Sequence, residues 1–284
     1  MNRFVEVGQV RLEVREEGAG PPVVLLHGFP ESSYSWRHVM RALADSGFHA
    51  VAPDQRGYVR SDKPRGIAAY RVERLVADVI GLLDALGLAR ATLVGHDWGA
   101  VVAWSVAALH PSRVERLVVM NGPHPQRMRT LLLTDPAQLW RSKYMLFFQL
   151  PWWPEHVGRR DDFAARAFLG LASRREVFDG ETLAYYRAAH REPGAATGML
   201  NWYRAAFWYG IPVLPRVTCP VLCIWGDDDR ALGVRFTEGL ERYATDVRVA
   251  HLAGVGHWVQ QEAHAEVSAL LLAELGAESK RMSP

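Results

Sequence analysis

The stretch that most constrains the fold is ATLVGHDWGAVVAW, residues 91–104, where a short apolar strand pattern runs directly into an apolar helical pattern. The turn between the two patterns has glycine two positions before and two positions after Asp97. Small residues spaced in this way around a nucleophile mark a sharp strand-to-helix turn that raises the nucleophile above a parallel sheet. The stretch therefore predicts an α/β protein whose reactive group is Asp97.

An aspartate at this turn limits the chemistry that the chain can perform. A carboxylate is already charged at pH 7, and it attacks an sp3 carbon to form an alkyl ester, which an activated water can hydrolyse. A serine attacking the same carbon would form an ether, which water does not readily cleave. Asp97 therefore indicates a substrate with an electrophilic sp3 carbon, such as an epoxide or an alkyl halide.

Strand and helix patterns alternate through both ends of the chain, beginning with a hairpin predicted over residues 2–17. Further strands are predicted at residues 23–26, 48–53, 91–95, 113–121, 221–225 and 247–252. Helices are predicted at residues 35–46 and 72–86, between Asp97 and Pro111, at residues 232–243, and after His257 to about residue 275. This alternation predicts an eight-stranded, mainly parallel sheet with helices on both faces.

Residues 124–215 break the alternation, because they show helical patterns and no convincing strand pattern. Sixteen of the 29 aromatic residues of the chain lie in residues 125–215. Most of these side chains are expected to pack the segment against the rest of the protein. We predict a core domain of residues 1–123 and 216–284 that carries an inserted helical cap, residues 124–215.

Charge and hydropathy exclude several classes of partner. The net charge is only +2 and the basic residues are scattered among 31 acidic ones, so we expect no nucleic-acid binding. No apolar run approaches the roughly 18 residues of a membrane span, and the first residues alternate like a strand and lack the core of a secretion signal. We expect a cytoplasmic protein that needs no metal or other cofactor. The choice between a monomer and a homodimer stays open.

The residues that follow Asp97 in the chain fit the order nucleophile, acid, histidine. Asp229 follows one predicted strand and His257 follows the next, and such a sheet places its site in the loops at strand ends. We expect His257 to activate the water that cleaves the ester and Asp229 to orient the imidazole. Asp227 and Asp228 are alternatives to Asp229.

Two backbone N–H groups are candidate donors to the oxyanion that forms on Asp97 during ester hydrolysis. They belong to Trp98, directly after the nucleophile, and to Phe29, directly after a predicted strand and a His-Gly pair. A well-aimed donor of this kind contributes about 3 kcal/mol to the transition state.

The chain resembles the epoxide hydrolases of the α/β-hydrolase fold in five separated motifs. Four lie in the predicted core, at residues 27–37 (HGFPESSYSWR), 54–64 (DQRGYVRSDKP), 94–100 (VGHDWGA) and 254–258 (GVGHW). Val59 departs from the second motif, because that family usually has a glycine there. The fifth motif lies in the cap, where the family uses two tyrosines. KYMLFFQ (143–149) resembles the segment of the first, which falls on Tyr144, and MLNWYR (199–204) that of the second, which falls on Tyr203.

The resemblance implies the reaction. A neutral phenol, with a pKa of about 10, can donate a hydrogen bond and then a proton to the oxygen of an opening epoxide. Tyr144 and Tyr203 are therefore expected to hold that oxygen from the cap. The expected reaction converts a small apolar epoxide and water into a vicinal diol, through a covalent ester on Asp97.

Two other functions stay open at this point. Haloalkane dehalogenases use the same aspartate, and Trp98 stands where they place an indole N–H that holds the halide. Their second halide donor is commonly an asparagine at the position of Phe29, fluoroacetate dehalogenases more often have arginine after the aspartate, and neither kind needs the tyrosine pair. A non-catalytic receptor of the same fold could hold a small molecule under its cap, but here all three triad positions are filled.

Overall fold

The computed structural model of the protein describes residues 2–160 and 163–279. These residues form one eight-stranded sheet, with strands β1 (Asn2–Val7), β2 (Val10–Glu17), β3 (Pro22–Leu26), β4 (His49–Pro53), β5 (Ala91–His96), β6 (Val114–Met120), β7 (Val221–Gly226) and β8 (Val247–Leu252). Their order in the sheet is β1-β2-β4-β3-β5-β6-β7-β8. The pairs β1–β2 and β2–β4 are antiparallel and the other pairs are parallel. The predicted eight-stranded, mainly parallel sheet is confirmed.

Helices cover both faces of this sheet. In chain order they are α1 (Arg37–Asp45), α2 (Val72–Ala85), α3 (Trp98–Leu109), α4 (Pro125–Thr134), α5 (Pro136–Arg141), α6 (Tyr144–Phe147), α7 (Trp153–Gly158), α8 (Phe163–Leu171), α9 (Gly180–Arg191), α10 (Ala195–Tyr209), α11 (Val259–Glu262) and α12 (His264–Ser279). Helices α1 and α12 pack in one apolar cluster, with Met40 and Leu271, and α2 and α3 pack in another, with Leu82 and Val102. None of the described helices is long and apolar enough to cross a membrane.

The order in which the chain adds strands reverses at β3: it forms β4 on one side of β3 and then crosses to form β5 on the other side, parallel to both. At such a point the connections leave in opposite directions, and a crevice opens beyond the carboxyl ends of the strands. Asp97 directly follows β5, and Phe29 lies shortly after β3. Both residues therefore lie at this crevice.

The chain between β6 and β7 contains the helices α4–α10, and the described residues 124–160 and 163–215 contain no strand. Helix α10 packs closely on the loop of residues 54–64. A Cβ atom on Gly198 would lie 2.6 Å from the carbonyl oxygen of Gly57, and the indole N–H of Trp202 donates to the carbonyl of Arg56 at 3.0 Å. Because α10 also carries Tyr203, this loop helps to set the height of that phenol above the sheet.

The departure at Val59 has a visible effect on the backbone. Val59 has a φ of 44°, in the left-handed region that glycine adopts freely and that a β-branched side chain avoids. Its carbonyl accepts a hydrogen bond from Lys63 Nζ. The loop thus keeps a backbone path that suits glycine, at a local cost of about 1–2 kcal/mol.

The predicted helix over residues 232–243 is wrong. Two 3-10 turns, Val234–Thr237 and Leu240–Arg242, stand in its place. Gly239 between them has a φ of 72°, a left-handed conformation that ends helices. The sequence suggested a helix because the apolar residues Phe236 and Leu240 are four residues apart. In the structure both side chains are buried, although they lie in two separate turns.

Candidate active site

Asp97 lies at the turn between β5 and α3, with a φ of 50° and a ψ of −117°. A non-glycine residue in this conformation is strained, and such strain is found mainly where a side chain has a functional position. The turn is possible because its neighbours are small. A Cβ atom on Gly95 would lie 2.5 Å from the carbonyl oxygen of Gly99, and one on Gly99 would lie 2.0 Å from that of Leu26.

The backbone N–H groups of Phe29 and Trp98, which the sequence suggested as oxyanion donors, both lower the pKa of the Asp97 carboxyl group. The Phe29 N–H donates to Oδ1 at 2.9 Å, and Trp98 follows Asp97 directly at the start of α3. Burial raises the pKa of Asp97, while the charges of His257 and His96 and these two N–H groups oppose that rise. The carboxyl group is therefore held among groups that favour its charged form.

His257 lies between the other two predicted members of the triad. Its Nε2 is 3.8 Å from Asp97 Oδ2, and its Nδ1 is 2.7 Å from Asp229 Oδ2. The other oxygen of Asp229 accepts hydrogen bonds from the N–H groups of Ala231 at 2.7 Å and Leu232 at 2.9 Å. The acid is thus fixed by the backbone, and it holds the imidazole with Nε2 facing the nucleophile.

The alternatives to Asp229 lie apart from this arrangement. Asp227 and Asp228 are exposed, and Asp227 pairs with His251 at 2.6 Å. Burial alone would raise the pKa of Asp229, but the charge and hydrogen bond of His257 outweigh it and hold that pKa below its usual value. Asp229 is therefore the carboxylate that supports the histidine.

Replacing Asp229 by Asn is expected to lower the pKa of His257, which is about 9 in the resting protein. Burial by itself lowers this pKa, and the carboxylates of Asp229 and then Asp97 more than reverse it. NMR titration of the His257 ring protons measures the change. Asp228→Asn is the matched control, because it makes the same change one residue away on an exposed side chain. An unchanged His257 pKa in Asp229→Asn would contradict the pairing.

Sequence reasoning missed Asn121, which directly follows β6 and has a φ of 35°. Its Nδ2 donates to Asp229 Oδ2 at 2.7 Å, and its Oδ1 accepts from the Gly226 N–H at 2.8 Å. Asn121 therefore holds the acid and the end of β7 together. The rule that pointed to Asp97 could have found it, because Asn121 also follows a strand at the carboxyl edge of the sheet.

A second group that the sequence did not reveal lies beneath the nucleophile. His96 and Glu31 have fully buried side chains, with His96 Nδ1 2.7 Å from Glu31 Oε2. His96 Nε2 donates to the carbonyl oxygen of His257 at 2.9 Å, since a carbonyl only accepts. Burial would raise the pKa of Glu31, but the charge and hydrogen bond of His96 hold it below its usual value. This pair supports the backbone of the catalytic histidine from below.

Tyr144, at the start of α6, and Tyr203, in α10, lie above Asp97. Their ring centroids are 6.0 Å apart and the two rings meet edge-on. The ring of Trp98 packs edge-on against the ring of Tyr203, with centroids 5.1 Å apart. Burial is the main cause that raises the pKa of both phenols, and the Asp97 carboxylate adds to it. Both tyrosines are therefore held as neutral donors.

Apolar side chains form the rest of the space between α10 and the sheet. They include Phe29, Phe147, Phe148, Phe163, Met199 and Leu200. The ring of Tyr203 packs edge-on against Phe29 and Phe148, with centroids 5.1 Å and 4.9 Å away. In the described part of the chain, no group of three or more His, Cys, Asp or Glu side chains is arranged to hold a metal ion. Phe29 joins this apolar lining to the nucleophile, because its N–H also donates to Asp97.

The chain is similar to known proteins over nearly its whole length. Residues 21–263 match the family model described as the alpha/beta hydrolase fold. The AB hydrolase superfamily protein YfhM of Bacillus subtilis is 39% identical, over 95% of this chain and 96% of that protein. Epoxide hydrolase A of Mycobacterium tuberculosis is 38% identical, over 95% of each protein. A mutant epoxide hydrolase from Bacillus megaterium, in complex with a naphthyloxy-propanediol product, superposes with a TM-score of 0.89 at 31% identity, covering 96% of this chain and 100% of that one.

Proposed function

The chain belongs to the α/β-hydrolase fold family, and we infer that within it the protein is an epoxide hydrolase, which adds water to an epoxide to give a vicinal diol. The observation that carries this inference is the meeting of a carboxylate nucleophile, Asp97, with a histidine on one side and two phenols on the other. The carboxylate and histidine suit ester formation and hydrolysis, and the phenols suit an oxygen that becomes an alkoxide.

We propose that the first step is attack of an Asp97 carboxylate oxygen on an epoxide carbon. The bond between that carbon and the ring oxygen breaks as the ester bond forms, and the ring oxygen gains negative charge. Tyr144 and Tyr203 donate hydrogen bonds to this oxygen, and one of them transfers its proton to it. The raised pKa of both phenols keeps them in the protonated form that this step needs.

In the second step we propose that a water molecule gives a proton to His257 Nε2 while its oxygen attacks the carbonyl carbon of Asp97. The oxyanion that forms accepts hydrogen bonds from the N–H groups of Phe29 and Trp98, each contributing about 3 kcal/mol. The Phe29 N–H is already 2.9 Å from Oδ1. As the oxyanion collapses, the acyl C–O bond to the substrate breaks and the second proton of the water passes to the leaving oxygen, so the diol leaves and Asp97 is again a carboxylate.

The charge of Asp97 explains how one histidine serves the whole cycle. As a carboxylate, Asp97 helps Asp229 to raise the pKa of His257 to about 9, so the imidazole is protonated at neutral pH. Ester formation removes this negative charge, 3.8 Å from Nε2, and so lowers the pKa of His257. The proton released replaces the one that the tyrosine gave to the alkoxide. The imidazole is then a neutral base, and it regains a proton from the attacking water.

We propose a small apolar epoxide with an aromatic substituent as the substrate. The cavity beside Phe29 is lined by apolar residues, four of which are phenylalanines, and the relative from Bacillus megaterium binds a naphthyloxy-propanediol product. Residues 124–215 would act as the cap over this substrate, and residues 1–123 and 216–284 as the core. A cytoplasmic location, and a monomeric or homodimeric state, stay predictions from the sequence.

The contact between Trp98 and Tyr203 disfavours the dehalogenase alternative. The ring of Trp98 packs edge-on against the Tyr203 ring, with centroids 5.1 Å apart, so a phenol that suits an epoxide oxygen lies beside the indole. Phe29 supplies no side-chain donor at the position where a second halide ligand would stand. A non-catalytic receptor does not require a buried aspartate–histidine pair beside a strained nucleophile, so this arrangement favours an enzyme over a receptor.

Replacing both Tyr144 and Tyr203 by Phe is expected to lower kcat/KM for 1-naphthyl glycidyl ether by about 100- to 10,000-fold, because no group then protonates the ring oxygen. Initial rates of diol formation measure the loss. Tyr209→Phe is the matched control, since Tyr209 ends α10, the helix of Tyr203, but is 49% exposed. Full activity of the double variant would exclude the phenols from the reaction.

Halide release from chloroalkanes without diol formation would support a dehalogenase, and binding without turnover would support a receptor.

A further inference from the structure

The carboxylate of Glu262, at the end of α11, accepts hydrogen bonds from four backbone N–H groups. Two belong to the loop that carries His257, namely Gly256 at 3.0 Å and Trp258 at 3.1 Å. The other two follow α8, namely Ser173 at 2.8 Å and Arg174 at 2.9 Å. Glu262 is only 3% exposed. Oε2 accepts three of these hydrogen bonds, and Oε1 accepts the one from Trp258.

The same two segments meet at two further hydrogen bonds. The His257 N–H donates to the carbonyl of Leu171 at 3.3 Å, and the indole N–H of Trp258 donates to the carbonyl of Phe168 at 3.0 Å. The approach is close enough to need glycine at position 256, where a Cβ atom would lie 2.6 Å from the Leu171 oxygen and 2.8 Å from Glu262 Oε1. The histidine loop is therefore held against residues 168–174, with Glu262 between them.

We propose that Glu262 is a positioning residue that ties His257 to residues 168–174, and that this tie sets the rate of ester hydrolysis. The proposal rests on the proposed function, because it assigns Glu262 to the second of its two steps. Glu262 binds the residue before His257 and the residue after it, so its carboxylate fixes the direction of the loop. This direction determines how Nε2 faces the carbonyl carbon of Asp97. Ester formation does not use His257 as a base, so it does not depend on the tie.

A glutamine at position 262 cannot reproduce this arrangement. Its single oxygen has two acceptor sites, and its NH2 group would point at a backbone N–H. At least one N–H group of the loop or of residues 173–174 then loses its partner, and the loop can shift. A shift of about 1 Å in a catalytic group can cost about 100-fold in rate.

Single-turnover kinetics of Glu262→Gln, with enzyme in excess over 1-naphthyl glycidyl ether, test the proposal. Acid quenching and intact-protein mass spectrometry follow the ester on Asp97, and chromatography follows the diol. We expect ester formation near the wild-type rate and ester hydrolysis slower by about 10- to 100-fold, so that the ester accumulates. Glu266→Gln is the matched control, because Glu266 is 45% exposed and contacts the Arg174 side chain. It is expected to match the wild type in both steps.

A loss of both rates by the same factor in Glu262→Gln overturns the proposal, because Glu262 would then support the site as a whole and not ester hydrolysis in particular. Unchanged hydrolysis overturns it as well. If Glu262→Gln does not fold, Trp258→Phe decides, since it removes the hydrogen bond to the Phe168 carbonyl but keeps an aromatic ring and the backbone N–H that donates to Glu262. Selectively slower hydrolysis in that variant supports the tie, and wild-type hydrolysis refutes it. If the wild type forms no ester at all, the proposed function itself fails.

Discussion

Replacing Asp97 by Asn is expected to abolish diol formation, with a loss of about a million-fold, the order found when a covalent nucleophile is removed from an enzyme. The asparagine amide carries no negative charge and does not form the alkyl ester. The turn should persist, because the asparagine Oδ1 can still accept the hydrogen bond that the Phe29 N–H now donates to Asp97 at 2.9 Å. Rates with 1-naphthyl glycidyl ether measure the effect, and near-UV circular dichroism confirms that the variant is folded.

Asp228→Asn is the matched control for this experiment. It makes the same chemical change on an exposed aspartate next to the triad acid, and we expect it to keep wild-type activity. A folded Asp97→Asn protein that retained a substantial part of the wild-type rate would show that another group attacks the epoxide. Asp97 would then be a binding residue rather than the nucleophile.

Replacing His257 by Gln is expected to separate the two steps of the reaction. Asp97 can still open the epoxide, but no base activates the water, so kcat falls by about 100- to 10,000-fold. The ester on Asp97 therefore persists, and the intact mass of the protein increases by the mass of one epoxide. Peptide mapping assigns the added mass to the peptide that contains Asp97.

His251→Gln controls for the loss of an imidazole near the end of a strand. The His251 side chain is 42% exposed and pairs with Asp227, away from the nucleophile, so we expect normal turnover without added mass. If His257→Gln turned over normally, His257 would not be the base. If it were inactive and formed no ester, the histidine would be needed for the first step, which the proposed mechanism excludes.

Much of the site could be predicted because the parallel strands of the sheet end at one edge. Asp97, Asp229 and His257 come after three different strands, β5, β7 and β8, and each of these strands is recognisable from local composition alone. In the folded protein the loops after these strands meet, and His257 Nδ1 lies 2.7 Å from Asp229 while its Nε2 lies 3.8 Å from Asp97. The two tyrosines had no such signal, since aromatic residues are common throughout residues 125–215, and only the resemblance selected them.

The residues that hold the catalytic groups could not be predicted in this way. Glu31 and Glu262 act through hydrogen bonds between distant segments, and a single sequence contains no record of such pairs. The position of Asn121 directly after β6 is visible in the sequence, but its hydrogen bond to Asp229 is not. Glu262, for example, is 89 residues away from Ser173 in the chain. The wrong helix over residues 232–243 has a related cause. Two short turns joined at a left-handed glycine bury the same apolar side chains that a helix would.

The central claim is that Asp97 forms a covalent ester that water cleaves at the aspartate carbonyl carbon. A single turnover in oxygen-18 water, with enzyme in excess over the epoxide, tests this claim most directly, with mass analysis of the peptide that contains Asp97 and of the diol. The mechanism predicts that one oxygen-18 atom enters the Asp97 carboxylate and that the diol of this first turnover is unlabelled. Oxygen-18 in the diol, with an unlabelled Asp97 peptide, would show that water attacks the epoxide directly and would contradict the account.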